Sequence, residues 1–171
     1  MLKQKSLILI SLILFFTNCS SIVNKNSVAL PKDKVYAISS FWNYTETPMA
    51  GLRASAIIDG VLSKKNINTI SLIGGSEEIE SAKNKQSFIE EKKAKALALG
   101  ATYLIIGSVQ EWRYKTGIDG EPVVSFTLKV IDLKSNKTVF SGVGAKSGWG
   151  HKSIGVIAQE IAQELIPQFI L

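Results

Sequence analysis

From Val123 to Leu133 apolar and polar side chains alternate, with Val124, Phe126, Leu128 and Val130 on one parity and Ser125, Thr127 and Lys129 on the other. A β-strand turns successive side chains to opposite faces, so this stretch predicts a strand in a sheet with one buried face. Such a strand is not stable alone; it needs paired neighbours and an apolar cover. Neighbours are predicted at about Tyr103–Tyr114 and Lys137–Ala145. The connections carry turn residues, Gly117-Ile118-Asp119-Gly120 in the first and Ser135-Asn136 in the second.

The cover is legible as helical spacing. Ala50, Ala54, Ile57, Ile58, Val61 and Leu62 fall on one helix face, behind Thr47 as the N-cap and Pro48 as the first helical residue. Phe88 to Leu99 predicts a second helix closed by Gly100. Its acids Glu90 and Glu91 precede its lysines 92, 93 and 95, which suits the helix dipole, pairs Glu91 with Lys95 and reads as a solvated charged face. Ile154, Ile157, Ala158, Ile161 and Leu165 mark a third helix that Pro167 ends. Val35–Phe41 and Ile67–Ile73 predict two more strands, the second stopped by Gly74-Gly75. Residues 76–86 are highly charged and read as a loop or short helix. The order β-α-β-α-β-β-β-α predicts a mixed α/β (α+β) fold, one sheet packed by helices, and 171 residues suffice for a single such domain.

Composition excludes much of the usual chemistry. One Cys rules out an intramolecular disulfide framework or a thiolate zinc cluster, and one His rules out a two-His metal site within the chain. No nucleophile elbow is present, and Gly74-Gly75-Ser76 lacks the Lys of a phosphate loop. His151, in Gly148-Trp149-Gly150-His151-Lys152, is the residue an enzymatic reading would centre on. The sequence offers no assembled partner for it, so the expectation is a non-enzyme with no catalytic, cofactor or metal residues.

The lone Cys has a place that explains it. Lys3 and Lys5 form a basic start, Leu7–Phe16 an apolar run broken only by Ser11, and Phe16-Thr17-Asn18-Cys19-Ser20 follows. This resembles a bacterial lipobox, with Phe16 where Leu is usual and Asn18 where Gly or Ala is usual. The expectation is a lipoprotein signal peptide over 1–18, lipidated Cys19 with a polar tether over 19–32, and the α/β domain over 33–171. Ser20 after the Cys resembles lipoproteins sent to the outer membrane of Gram-negative cells, lipid-anchored at its periplasmic face. Losing Lys3 and Lys5 lowers the formal charge from +6 to +4, and the remaining lysines are scattered. Nucleic-acid binding wants a clustered basic face, so none is expected.

Glu111-Trp112-Arg113-Tyr114-Lys115 alternates aromatics with charges before a Gly-rich turn that carries Asp119 and Glu121. Two readings are open: a twisted hairpin with a solvated tip, or Glu111, Asp119 and Glu121 projecting an acidic patch toward a ligand or a subunit axis. Several segments then resemble one family. They are Asn43–Ala54 (NYTETPMAGLRA), Gly107–Lys115 (GSVQEWRYK), Gly117–Pro122 (GIDGEP) and Ser141–Trp149 (SGVGAKSGW). Together they resemble PelC, the lipoprotein family of the Pel exopolysaccharide export system.

The resemblance implies a non-enzymatic homo-oligomeric ring, a dodecamer, beside the outer-membrane pore protein PelB. It would guide a partly cationic polysaccharide toward that pore, with Asp119, Glu121 and Glu111 as guiding acids. Arg53, at the flank of the first helix's apolar stripe, suits either an ion pair between subunits or a plain surface position. Trp149, between two glycines, suits either a core position capping the last helix or a membrane-facing one. The layout also resembles LpoB-like lipoproteins, adaptors that activate peptidoglycan synthases, and the soluble part of the curli lipoprotein CsgG. A tether of about fourteen residues is short for an adaptor that must cross the periplasm.

Overall fold

The computed structural model describes residues 20–25, 29–74, 84–117, 120–149 and 151–170. Within them, seven strands form one sheet: β1 (Ser20–Lys25), β2 (Tyr36–Ser39), β3 (Trp42–Asn43), β4 (Thr69–Leu72), β5 (Tyr103–Tyr114), β6 (Pro122–Asp132) and β7 (Lys137–Ser147). The order across the sheet is β1-β7-β6-β5-β2-β4, with β3 pairing β5 off this path. β1, β7, β6 and β5 run antiparallel, whereas β2 is parallel to both β4 and β5. The sheet is therefore mixed, as the element order predicted.

The helices are α1 (Ala50–Lys64), α2 (Lys85–Ala98) and α3 (Ile154–Leu165). α1 and α3 cover one face with the main core, in which Ile58, Leu62, Ile157 and Ile161 meet Ile38, Phe126 and Leu128. The parity read from the sequence holds, since Val124, Phe126, Leu128 and Val130 all lie in this core. α2 covers the opposite face near β2, β4 and the start of β5, through Ala96 against Ala37, Leu104 and Ile106. The loops follow their turn chemistry: Asn136 has φ 56° and Gly100 φ 79°. At the β6–β7 turn the Ser135 N–H donates to Asp132 Oδ1 at 2.7 Å. That backbone bond outweighs the opposing desolvation and holds the Asp132 carboxyl below its ordinary value.

Four expectations need correction. First, the segment read as tether begins with a strand: Ser20–Lys25 pairs antiparallel with β7, Ser20 opposite Lys146 and Val23 opposite Val143. Its polar sequence hides this because an edge strand needs only one apolar residue, Ile22, against the core. Second, α1 starts at Ala50 and not after Thr47. The Thr47 hydroxyl donates instead to the Trp112 carbonyl of β5, and Met49 takes a left-handed φ of 58° at the helix entry. Third, Glu90 pairs with Lys93 at 2.8 Å, in place of Glu91 with Lys95. Fourth, the charged face of α2 is not wholly solvated, for Lys92 is fully buried with its Nζ 5.1 Å from the Phe88 ring centre. Residues 76–83 of the charged stretch lie outside the described residues.

Candidate functional site

One end of the sheet gathers most of the residues singled out above. β1 begins there, with Ser20 opposite Lys146, and β7 ends there, with Ser147 opposite Val123. The β5–β6 hairpin closes there too, with Tyr114 opposite Pro122 and the Gly148 N–H donating to the Pro122 carbonyl at 2.9 Å. The Tyr114 hydroxyl accepts from the Ile154 N–H at 3.2 Å, tying the hairpin to the first residue of α3. Antiparallel pairing makes this inevitable: β1 and β6 start where β5 and β7 stop.

The acids are not equivalent at this end. Glu121 stands at the base of the hairpin tip, where its Oε2 takes an ion pair from Lys115 Nζ at 2.7 Å while the Lys115 N–H donates to the Glu121 carbonyl. Glu111 lies further down β5, opposite Ser125, and pairs with Arg113 at 3.2 Å. The two carboxylates are four positions apart in the ladder, about 13 Å at ~3.3 Å per residue. Within one chain they do not form a joint patch, and each carries its own cation. All four partners keep a third or more of their side chains exposed, so these are surface pairs of small energetic weight. Asp119 lies outside the described residues, as do Cys19 and the whole of 1–18.

Trp149 is 45% exposed just beyond the end of β7, which removes the reading of a core tryptophan. The buried indole is Trp112, 2% exposed, whose Nε1 has no hydrogen-bond partner among the described residues. The last helix is instead capped by Ser153, whose Oγ accepts the Val156 N–H at 3.3 Å. His151 is exposed in the turn before that cap. Arg53 is exposed on the first turn of α1 and makes no ion pair with any described residue.

Two features lay beyond the sequence reading. The first is an open groove of about 400 Å³ beside the upper half of β5, between Tyr44–Thr47 and Gln110–Arg113. It exists because the β5–β6 register shifts between Val109 and Glu111, so that Gln110 bulges while β3 has already ended. The second is a charge ladder between β7 and α3. Lys146 Nζ meets Glu160 Oε2 at 2.9 Å and Glu164 Oε1 at 3.0 Å, and Lys152 Nζ meets Glu160 Oε1 at 2.8 Å. Burial acts first, pulling Lys146 down and Glu160 up, but the hydrogen bonds that Lys152 and Lys146 donate to Glu160, and Lys146 to Glu164, win. Lys146 is therefore held above its ordinary value and Glu160 below it. The i,i+4 spacing of Glu160 and Glu164 was visible in the sequence; their strand partner was not.

No protein-family model matches the chain, and no match is found among curated proteins. Solved structures do match. A single-substitution variant of the PelC dodecamer from Paraburkholderia phytofirmans superposes with a TM-score of 0.75 at 30% identity, over 88% of this chain and 98% of that one. The PelC dodecamer from the same organism in a second crystal form gives 0.74 at 29% identity, over 90% of this chain and 99% of that one. Lipoprotein GNA1162 from Neisseria meningitidis shares the fold alone, with a TM-score of 0.51 at 14% identity, over 79% of this chain and 96% of that one. With 30% identity over nearly the whole of its solved relative, the chain belongs to the PelC family.

Proposed function

We propose that the protein is a lipid-anchored, non-enzymatic component of Pel-type exopolysaccharide export that assembles into a ring at the periplasmic face of the outer membrane. The observation that carries this reading is the near-complete likeness to a dodecameric relative. The gathered end of the sheet supports the orientation. Ser20 opens β1, so a lipid on the preceding Cys19 would hold this end against the bilayer. Trp149, exposed at the same end, is the kind of side chain that seats in a membrane interface.

In the ring the hairpin tips would be repeated about the axis, and symmetry would bring together acids that a single chain keeps apart. Asp119 and Glu121 then act as guiding acids for a partly cationic polymer moving toward PelB, with Glu111 at the margin. The mechanism is electrostatic: a negative aperture raises the local concentration of a polycation without gripping any one sugar. The Lys115 and Arg113 partners temper the field of Glu121 and Glu111 within one subunit. Arg53, with no ion-pair partner among the described residues, fits a pair to the adjacent subunit.

The test is Asp119→Asn with Glu121→Gln in the full chain. Secretion of the polymer is expected to fall several-fold while the mass of the assembly stays that of the wild type. Full secretion by the double variant would remove the guiding role.

A further inference from the structure

The lysines are scattered along the chain but not in space. One row of the sheet runs Thr69, Tyr36, Tyr103, Asp132, Lys137, so β4, β2, β5 and β7 start, and β6 ends, at a common end. This is the end opposite Ser20 and the β5–β6 hairpin. Each segment that turns there brings lysine. Lys32 and Lys34 stand before β2, and Lys64 and Lys65 close α1 ahead of β4. Lys95 lies in the last turn of α2 ahead of β5, and Lys134 and Lys137 sit at the β6–β7 turn. All of them are exposed.

Among the described residues of these segments, two acids answer them. Asp33 pairs with Lys34 at 3.3 Å, and Asp132 is held by the Ser135 N–H and draws on Lys134. Lys32, Lys64, Lys65, Lys95 and Lys137 make no ion pair with any described residue. Neighbouring strands lie about 4.8 Å apart, so β7 to β4 spans about 19 Å, close to two Debye lengths, and the fields of adjacent lysines overlap. Apolar side chains share this end. Leu97 and Leu99 are 53% and 52% exposed where α2 stops. Ala94 and Leu97 border an open groove of about 330 Å³ whose other wall is Leu133 and Asn136 of the β6–β7 turn. The ion-paired Glu90 and Lys93 complete its lining.

We propose that this end of the subunit docks an acidic amphipathic helix of a partner protein, its apolar stripe seated on Leu97 and the groove beside it and its carboxylates facing the lysines. Lysines without arginine make a mobile, hydrated positive surface, suited to spread carboxylates and lacking the fork that grips a phosphate. The leucines favour a protein over an acidic sugar polymer, because a helix brings an apolar stripe that covers them. Distance argues against a lipid surface. The twelve residues of β5 set this end about 40 Å from the end that Ser20 opens, where the bilayer is placed. That placement rests on the anchored reading above; the docking surface itself does not. In the ring, this basic end would face the periplasm and repel a partly cationic polymer until an acidic partner covers it.

The full chain in mild detergent is titrated against a fluorescent helical peptide of about five turns, with Leu on one face and Glu on the other. Anisotropy is expected to give a micromolar Kd that rises about tenfold from low to physiological salt. Lys65→Gln/Lys95→Gln/Lys137→Gln and Leu97→Ser should each weaken binding about tenfold, with melting temperature and assembly mass unchanged. No binding at low salt overturns the inference, and so does wild-type affinity in either variant. Equal affinity for a peptide whose leucines are serines overturns it in favour of a surface that reads charge alone. Displacement of the peptide by micelles doped with phosphatidylglycerol overturns it in favour of a lipid surface. A wild type that is monomeric by light scattering yet binds the peptide with these dependences supports the inference and overturns the ring reading alone.

Discussion

Ile161 of α3 occupies the space where a side chain on Gly144 of β7 would stand: a Cβ built on Gly144 would collide with the Ile161 Cγ2 methyl. Gly142 and Gly148, on the same parity of the strand, meet Phe140 and Leu165 in one case and Ile157 in the other. The alternating glycines of Ser141–Gly148 thus form the floor on which α3 lies, close enough that no side chain fits between them.

Gly144→Ala is expected to destabilise the fold by about 1–3 kcal/mol, the usual cost of overpacking a filled core. Ile161→Ala removes that methyl, so it should cost less in the Gly144→Ala background than in the wild type. Chemical denaturation of the two single variants and the double variant checks it; strictly additive losses would rule out the contact as the cause.

The Lys146–Glu160–Lys152 ladder makes the seating of α3 sensitive to pH at both extremes. Glu160, with its value lowered, contributes stability above its ordinary value of 4.5 and loses it as pH falls through the lowered one. Lys146, with its value raised, contributes below its ordinary 10.5 and loses it as pH rises through the raised one. Glu160→Gln should cost about 1–2 kcal/mol at neutral pH, between the weights of exposed and buried pairs, because the Lys146 side chain is only 12% exposed. The cost should shrink as the pH falls through that lowered value, where the wild type loses the same charge. A melting-temperature profile that is parallel for the two proteins from pH 3 to 7 would refute this.

Thr47 holds the entry of α1 to β5 by a hydroxyl that donates to the Trp112 carbonyl. Thr47→Val keeps the shape and removes the donor, so it should lower stability by about 1 kcal/mol. Thr47→Ser should restore most of it. Hydrogen exchange at Arg53 and Ala54, the first α1 amides to report fraying, should quicken in the valine variant alone.

Tyr36, fully buried and stacked on Tyr103 with ring centres 5.0 Å apart, donates its hydroxyl to the Pro31 carbonyl at 2.9 Å. Burial first, and then the charges of Tyr103 and Asp33, push its ionisation well above the ordinary value of 10.0. Tyr36 should therefore ionise only when the chain unfolds in alkali. Ultraviolet difference titration reads this directly: the step in phenolate absorbance that accompanies alkaline unfolding should shrink in Tyr36→Phe, and an unchanged step would contradict the assignment.

The order of the elements from β2 onward, apart from the two-residue β3, the buried parity of β6 and the three helices were legible because each rests on a local period or a turn residue that the chain itself carries. Val124, Phe126, Leu128 and Val130 could only face one side of a strand, and Asn136 and Gly100 stand where the backbone needs a positive φ. The site was legible in its residue types and less so in its pairings. That Lys115 sits on Glu121, Arg113 on Glu111 and Lys146 between Glu160 and Glu164 depends on distances between strands and helices, which no spacing along the chain encodes.

What the sequence determined by itself, then, is the main elements from β2 onward and the face that each must bury, because hydrophobic period and turn stereochemistry act over a few residues. Tertiary structure decided that a polar stretch after Cys19 becomes β1, that Trp112 and not Trp149 is the buried indole, and that Lys146 sits between Glu160 and Glu164. In each case the deciding energy is the contact made with a distant partner: β7 for β1, the α1/α3 layer for Trp112, and α3 for Lys146.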